Sequence, residues 1–239
     1  MTTEIQDPEK KEKPNVIKGS GTVQGTEKND HITGSKRDDR IMGKPGDDEI
    51  HGKGGKDRLY GNDGNDRVFG EDGDDKVYGN AGDDYVSGGI GNDKLYGDNG
   101  RGKAGNDHLD GGAGNDTLKG GGGEDLLDGG TGNDTMYGGT EIDTFKINGH
   151  DIIEDYERGE KVIFDIPTPK DTDDKPVAKP EIKFELGVGG KLTAIFGEES
   201  SVTFDSIRMK EEQLKQAQEQ GLLDVQTTDT SSTLIIKAP

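Results

Sequence analysis

One aspartate recurs every nine residues through the middle of the chain. Asp30, Asp39, Asp48, Asp57, Asp66, Asp75, Asp84 and Asp93 keep the spacing, and after one break Asp107, Asp116, Asp125, Asp134 and Asp143 resume it. Carboxylates repeated this way are hard oxygen ligands, suited to a divalent cation such as calcium, which takes roughly six to eight of them. Two residues after each aspartate stands an apolar side chain: Ile32, Ile41, Ile50, Leu59, Val68, Val77, Val86, Leu95, Leu109, Leu118, Leu127, Met136 and Phe145. Five residues before each aspartate stands a glycine. A metal-free acidic linker has no reason to keep three such columns in phase.

The unit is therefore nine residues with Gly first, Asp sixth and an apolar residue eighth. GNDGNDRVF at Gly61–Phe69 and GGTGNDTMY at Gly129–Tyr137 are two of its thirteen copies. Copies start at Gly25, Gly34, Gly43, Gly52, Gly61, Gly70, Gly79 and Gly88, then at Gly102, Gly111, Gly120, Gly129 and Gly138, with Gly97 to Arg101 as a bulged insert between the two runs. The fourth position is Gly in ten copies and Lys28, Arg37 or Glu141 in the others, so the array is worn at both ends.

This pattern resembles the RTX (repeats-in-toxin, haemolysin-type) calcium-binding repeat, G-G-x-G-x-D-x-U-x. The resemblance covers roughly half of the chain. It implies an all-β fold, a parallel β-roll or β-solenoid. It also implies ions between stacked loops, held by the thirteen sixth-position aspartates and by loop carbonyls. In five of the units those loop positions are Gly61, Asp63 and Asn65; Gly70, Asp72 and Asp74; Gly79, Ala81 and Asp83; Gly111, Ala113 and Asn115; Gly129, Thr131 and Asn133. About 8 to 11 Ca2+ ions are expected on that basis. The family also implies secretion from Gram-negative bacteria by type I machinery that reads an uncleaved C-terminal signal. Folding would then follow export into extracellular calcium.

The elements that position these residues follow from the period. Positions seven to nine alternate polar, apolar, polar, which predicts a short strand with one inward side chain. Positions one to six are too glycine-rich for helix or strand and read as a turn. Two units make one coil of eighteen residues, so strands eighteen apart stack at about 4.8 Å in one sheet. Asp57, Asp75 and Asp93 then share one edge of the roll, and Asp66 and Asp84 the other. Like charges so close repel unless a cation lies between them. The second position departs from glycine in eight copies. Asn62 and Asn80 tolerate a left-handed backbone there better than Lys44, Lys53 or Glu71.

Composition agrees with a chain that cannot fold on apolar burial alone. Only 26% of the residues are hydrophobic and the net charge is -20, the profile of a disordered polypeptide. With no cysteine, disulfides and thiolate metal sites are excluded. The acidic balance argues against nucleic acid as a partner, and no apolar run is long enough for a membrane-spanning helix. Residues 1–15 read as a disordered N-terminal segment without the apolar core of a signal peptide. Residues 16–146 read as the roll.

Residues 147–239 read as a C-terminal capping region carrying the type I secretion signal. An open roll needs a cap on its last strand edge. The segment FKINGHDIIEDYERGEKVIFD, from Phe145 to Asp165, supplies one, with Ile152, Ile153, Tyr156, Val162 and Phe164 packing on the last coils. Residues 167–180 read as a loop, Ile182 to Ile207 as strands with turns at Gly187–Gly190 and Gly197–Ser201, and Arg208 to Gln220 as a short polar helix.

No catalytic constellation is visible: there is no H-E-x-x-H and no G-x-S-x-G, and no EF-hand loop. The reading is a non-enzymatic module. The near P-loop Gly97–Ala104 lacks the Ser or Thr that holds magnesium. His31, His51, His108 and His150 stand apart in sequence and read as ordinary surface residues. A second binding role lies on the outer face. There Arg40, Arg58, Lys76 and Lys94 align in one column and Tyr60, Tyr78 and Tyr96 in the next. Arg58, Lys76, Lys94 and the three tyrosines could hold an acidic polysaccharide, and a solubilising face with a tyrosine ladder is the alternative.

Overall fold

Positions seven to nine of every unit do form strands, and the eighteen-residue coil sets their pairing. The computed structural model describes residues 13–100, 103–147, 150–155 and 161–164. It also describes the strands Ile182–Leu186, Lys191–Phe196, Ser201–Arg208, Leu223–Thr227 and Ser232–Ile236. From Asn15–Lys18 to Lys161–Phe164 consecutive strands alternate between two sheets, each of eleven strands once the later strands join them. Arg58 pairs with Lys76, Leu59 with Val77 and Tyr60 with Tyr78, all in parallel register eighteen residues apart. The architecture is a parallel β-roll, and among the described residues there is no helix.

Between the sheets lies a single file of side chains. All thirteen eighth-position residues, from Ile32 to Phe145, are fully buried. Burying a side chain of this size contributes roughly 1.5–3 kcal/mol, and each coil provides only two. The file extends at both ends. Val23, on the strand Thr22–Gln24, enters it before the first glycine-led copy, while Ile147, Ile153 and Val162 continue it after the last. Ile152 is half-buried, and Tyr156 lies outside the described residues.

The strands are longer than three residues in the middle of the roll. Arg58–Asp63, Arg67–Asp72 and Lys76–Ala81 each run on through the first three positions of the next unit. The second position makes this possible by turning the chain left-handed: φ is 89° at Asn62, 73° at Glu71 and 90° at Asn80. Lys44 and Lys53 adopt the same conformation at 80° and 86°, a strained choice for residues with long side chains. The turn proper is thereby reduced to positions four to six.

The insert also sits differently from the sequence expectation. Gly97, not Gly102, takes the first-position role. Its N–H donates to Lys119 O at 2.8 Å, as Gly43 N–H does to Tyr60 O and Gly34 N–H to His51 O. The coil spacing stretches from eighteen to twenty-three there, with Tyr85 paired to His108. Glycine alignment cannot choose between Gly97 and Gly102, whereas the backbone ladder can.

Beyond the array, Lys161–Phe164 pairs in parallel with Thr144–Ile147. Its other edge is covered by Ser232–Ile236, which runs antiparallel. On the second sheet Ser201–Arg208 pairs with His150–Ile153. The expected strands between 182 and 207 are present. The expected helix falls almost wholly outside the described residues, and Arg208 itself ends a strand.

Candidate metal centre

Each repeat aspartate from Asp30 to Asp134 is held by an aspartate one coil further on. The N–H of Asp30 donates to Oδ1 of Asp48 at 2.8 Å, that of Asp48 to Asp66 at 2.7 Å, and that of Asp66 to Asp84 at 2.7 Å. On the other edge Asp39, Asp57, Asp75 and Asp93 are linked in the same way at 2.7 Å. The ladder crosses the insert, with Asp84 donating to Asp107 at 2.9 Å and Asp93 to Asp116 at 2.7 Å. It ends on Asp151, which accepts from Asp134 N–H at 2.9 Å and is 1% exposed. Asp151 lies outside the glycine-led copies, and its one sequence signal is the apolar Ile153 two residues on. At the opposite end Gly21 stands in the sixth position, and its N–H donates to Asp39 Oδ1.

Oδ1 is thereby used and Oδ2 is left. All thirteen aspartates are at most 3% exposed. In ten of them, Asp48, Asp57, Asp66, Asp75, Asp84, Asp93, Asp107, Asp116, Asp125 and Asp134, Oδ2 is buried without a hydrogen-bond donor. A buried carboxylate oxygen with no partner is costly. Burial, acting against the stabilising N–H bond, pushes these carboxyls up from the ordinary 3.8. Asp48, Asp75 and Asp116 reach about 6. Asp57, Asp66, Asp93 and Asp107 reach about 7. Asp84 and Asp125 reach about 8. Asp134 is raised too, by burial and by Asp151 beside it.

The space around Oδ2 is kept open by the first-position glycine. A Cβ placed on Gly111 would lie 2.6 Å from Asp116 Oδ2, and one on Gly129 would lie 2.6 Å from Asp134 Oδ2. The first-position carbonyl of the next coil turns towards the same place. Gly111 O would be 2.6 Å from a Cβ on Gly88, while Gly61 O, Gly70 O and Gly79 O would each be 2.8 Å from one on Gly43, Gly52 and Gly61. Carboxylate and carbonyl oxygens thus converge where no side chain can enter. This donor set is all oxygen and fits a hard cation such as calcium, which would neutralise the stacked carboxylates and bind the loops of successive coils together.

The third- and fifth-position residues named from the sequence do mixed work. Carbonyls of Asp63, Asp72, Ala81, Ala113 and Thr131 accept from fourth-position N–H groups of the preceding coil at 2.8–3.0 Å. Fifth-position side chains form a second ladder in the reverse sense. Asn65 Oδ1 accepts from Asp83 N–H, Asp74 from Asn92, Asp83 from Asn106 and Asn115 from Asn133, at 3.1, 3.1, 2.8 and 2.9 Å. This structural use of the Asn/Asp column was not visible in the sequence.

Asp30 and Asp39 are different. Ser35 donates to Asp39 Oδ2 through its N–H at 2.7 Å and its hydroxyl at 2.9 Å. Thr26 serves Asp30 in the same way, with N–H at 2.5 Å and hydroxyl at 3.1 Å from Oδ2. The two N-terminal turns, which also lack the fourth-position glycine, satisfy their aspartates with the protein's own donors.

The RTX calcium-binding nonapeptide repeat, taken four copies at a time, matches residues 18–50, 34–68, 42–77, 60–95, 69–102, 95–127 and 110–145. No curated protein matches the chain. Among solved structures, the extracellular lipase LipA from Serratia marcescens is similar at 17% identity, over 79% of this chain and 38% of that one, with a TM-score of 0.20. The chain thus spans well under half the length of that lipase. With the repeat matched over more than half of its residues and the aspartate ladders in place, the chain belongs to the RTX calcium-binding nonapeptide repeat family.

Proposed function

We propose that this chain is a calcium-driven folding module of a secreted protein. It leaves the calcium-poor cytosol unfolded, through type I machinery, and forms its roll in extracellular calcium. The observation that carries this reading is the set of ten buried Oδ2 atoms that lack a donor. Without a cation the folded roll must hold stacked, dehydrated carboxylates, which is unfavourable at neutral pH. With one ion at most of these loops, about 8 to 11 in all, the charge is balanced and folding and binding become one event. In this reading the loops serve as structure, and the module is non-enzymatic. A calcium titration starting from chelator tests the reading.

A second reading is the hold on an acidic polysaccharide, favoured by one observation. The register lines Arg40, Arg58, Lys76 and Lys94 in an unbroken outward column. The adjacent tyrosines stack on one another, with centroids 4.9 Å apart for Tyr60 and Tyr78 and 4.6 Å for Tyr78 and Tyr96. Arg40 covers Tyr60 at 5.1 Å. Both faces of Tyr60 and Tyr78 are therefore occupied, and the attraction would be mainly ionic. The expected result is calcium-dependent, salt-sensitive binding to an anionic glycan that falls at least about tenfold when Arg58, Lys76 and Lys94 become Ser. Unchanged binding by that variant rules the face out.

A further inference from the structure

The outer face of the roll carries a side-chain cluster with different chemistry. His31 and His51, read from the sequence as separate surface residues, lie with ring centroids 5.4 Å apart. Glu49 sits directly opposite His31 in the strand register, and His51 follows on the same face two residues later. Glu49 Oε1 is 3.5 Å from His31 Nδ1 and 3.0 Å from His51 Nε2. One ligand atom from each of the three residues falls within 4.8 Å of the others. We propose that His31, Glu49 and His51 form a zinc-type transition-metal site, separate in place and chemistry from the calcium loops.

Spacing supports the assignment. Zinc binds imidazole nitrogen and carboxylate oxygen at about 2.0–2.2 Å, which puts tetrahedral ligands about 3.3–3.5 Å apart. The His31–Glu49 contact of 3.5 Å meets that value, the His51–Glu49 contact of 3.0 Å falls just short of it, and the two imidazoles come within 4.8 Å of each other. Two imidazoles and one carboxylate leave a fourth position for water, on the solvent side of the sheet. Calcium prefers oxygen ligands throughout, so it is a poor competitor for two imidazoles.

A second, independent observation is the support around His51. Its other nitrogen, Nδ1, lies 2.9 Å from Glu71 Oε1. Glu71 is in turn held by Lys53 Nζ at 2.9 Å. Phe69 stacks on the imidazole, with centroids 4.9 Å apart and planes 13° from parallel. A neutral imidazole carries one N–H and can donate to only one of the two carboxylates beside it. In the tautomer that gives Nδ1–H to Glu71, Nε2 would present a lone pair to a metal ion shared with Glu49. A carboxylate behind a ligating histidine is the usual outer support of such sites. Sequence distance conceals the cluster, because its members are eighteen and twenty residues apart and meet only through the coil period.

A bound ion here would tie the strand Asp30–Thr33 to Glu49–Gly54. That is the end of the roll where Thr26 and Ser35 already serve the aspartates. It would brace the first coils by means other than calcium.

The test uses the full chain kept saturated with calcium. Zinc is titrated against a chromophoric zinc chelator, and cobalt(II) is used as a spectroscopic substitute. The expected result is one zinc per chain that calcium does not displace. His31→Asn or His51→Asn should weaken it by at least tenfold, and Glu71→Gln by about tenfold. His108→Asn, on the same face without a second imidazole, should leave it unchanged. All these positions face outward, so circular dichroism of the calcium-loaded variants should match the parent. Cobalt tests the parent independently of any variant: intense visible absorption, lost on adding one equivalent of zinc, is expected. Zinc uptake unaffected by His31→Asn and His51→Asn, or weak octahedral cobalt absorption, would overturn the assignment.

Discussion

The calcium-free chain is expected to gain β-sheet signal as the pH is lowered from about 8 to about 4.5. The sign follows from the buried aspartates. In the unfolded chain their carboxyls ionise near the ordinary 3.8, while in the roll burial holds nine of them at about 6 to about 8. The metal-free roll therefore binds more protons than the unfolded chain between those limits. Its stability is greatest below about pH 4, declines as the pH rises through the folded values, and has lost the whole contribution above about pH 8. Protons do, poorly, what calcium does well: they remove the charge but do not link the loops. In saturating calcium the dependence reverses, because protons compete for the same oxygens. Circular dichroism in chelator across this range checks the first half of the claim. A signal that is flat, or that grows with pH, would show that Oδ2 is not a buried anion seeking a cation.

The second large effect is expected from Gly111→Ala. The added methyl would lie 2.6 Å from Asp116 Oδ2 and closer still to Gly129 O. Neither can retreat, since one is on the buried ladder and the other is backbone of the next coil. Overpacking of this kind costs roughly 1–3 kcal/mol and sometimes more. A penalty of about 3 kcal/mol changes a one-ion equilibrium roughly 150-fold. Shared over about ten cooperative ions it would move the calcium midpoint by only about 1.6-fold. The midpoint is thus the wrong quantity to follow. Each coil touches only its neighbours, so a local fault in a repeat array divides it. The variant should show two calcium transitions in place of one, with fewer ions bound. Gly54→Ala is the control, because its methyl would come no nearer than 3.7 Å to Asp72 O. A single transition of full amplitude in Gly111→Ala would mean that the first-position space is not where the loops close on the ion.

Much of this architecture was legible in the sequence because a repeat fixes its own register. Once Gly61, Asp66 and Val68 are seen to recur every nine residues, the inward file, the turn and the two aspartate edges follow from strand alternation and the coil of two units. What escaped had no column to mark it. Val23 enters the core from a unit whose sixth position is Gly21, and Asp151 extends the ladder from the cap. The role of Gly97 was hidden because Gly102 satisfies the same spacing, and only the N–H bond to Lys119 separates them. The left-handed turns at Lys44 and Lys53 contradict their residue preferences and are imposed by the pairing on either side. His31, Glu49 and His51 were visible as letters, but their meeting depends on combining an eighteen-residue stack with a two-residue step along one strand.

The central claim is that cation binding and formation of the roll are one event. Far-UV circular dichroism during a calcium titration from chelator at about pH 7.5, with magnesium in parallel, tests it most directly, since magnesium demands a smaller octahedral shell and keeps its water. The account predicts little β-signal in chelator, a steep rise with calcium, full reversal on adding chelator back, and no rise with magnesium. A β-signal already complete in chelator and indifferent to calcium would contradict it.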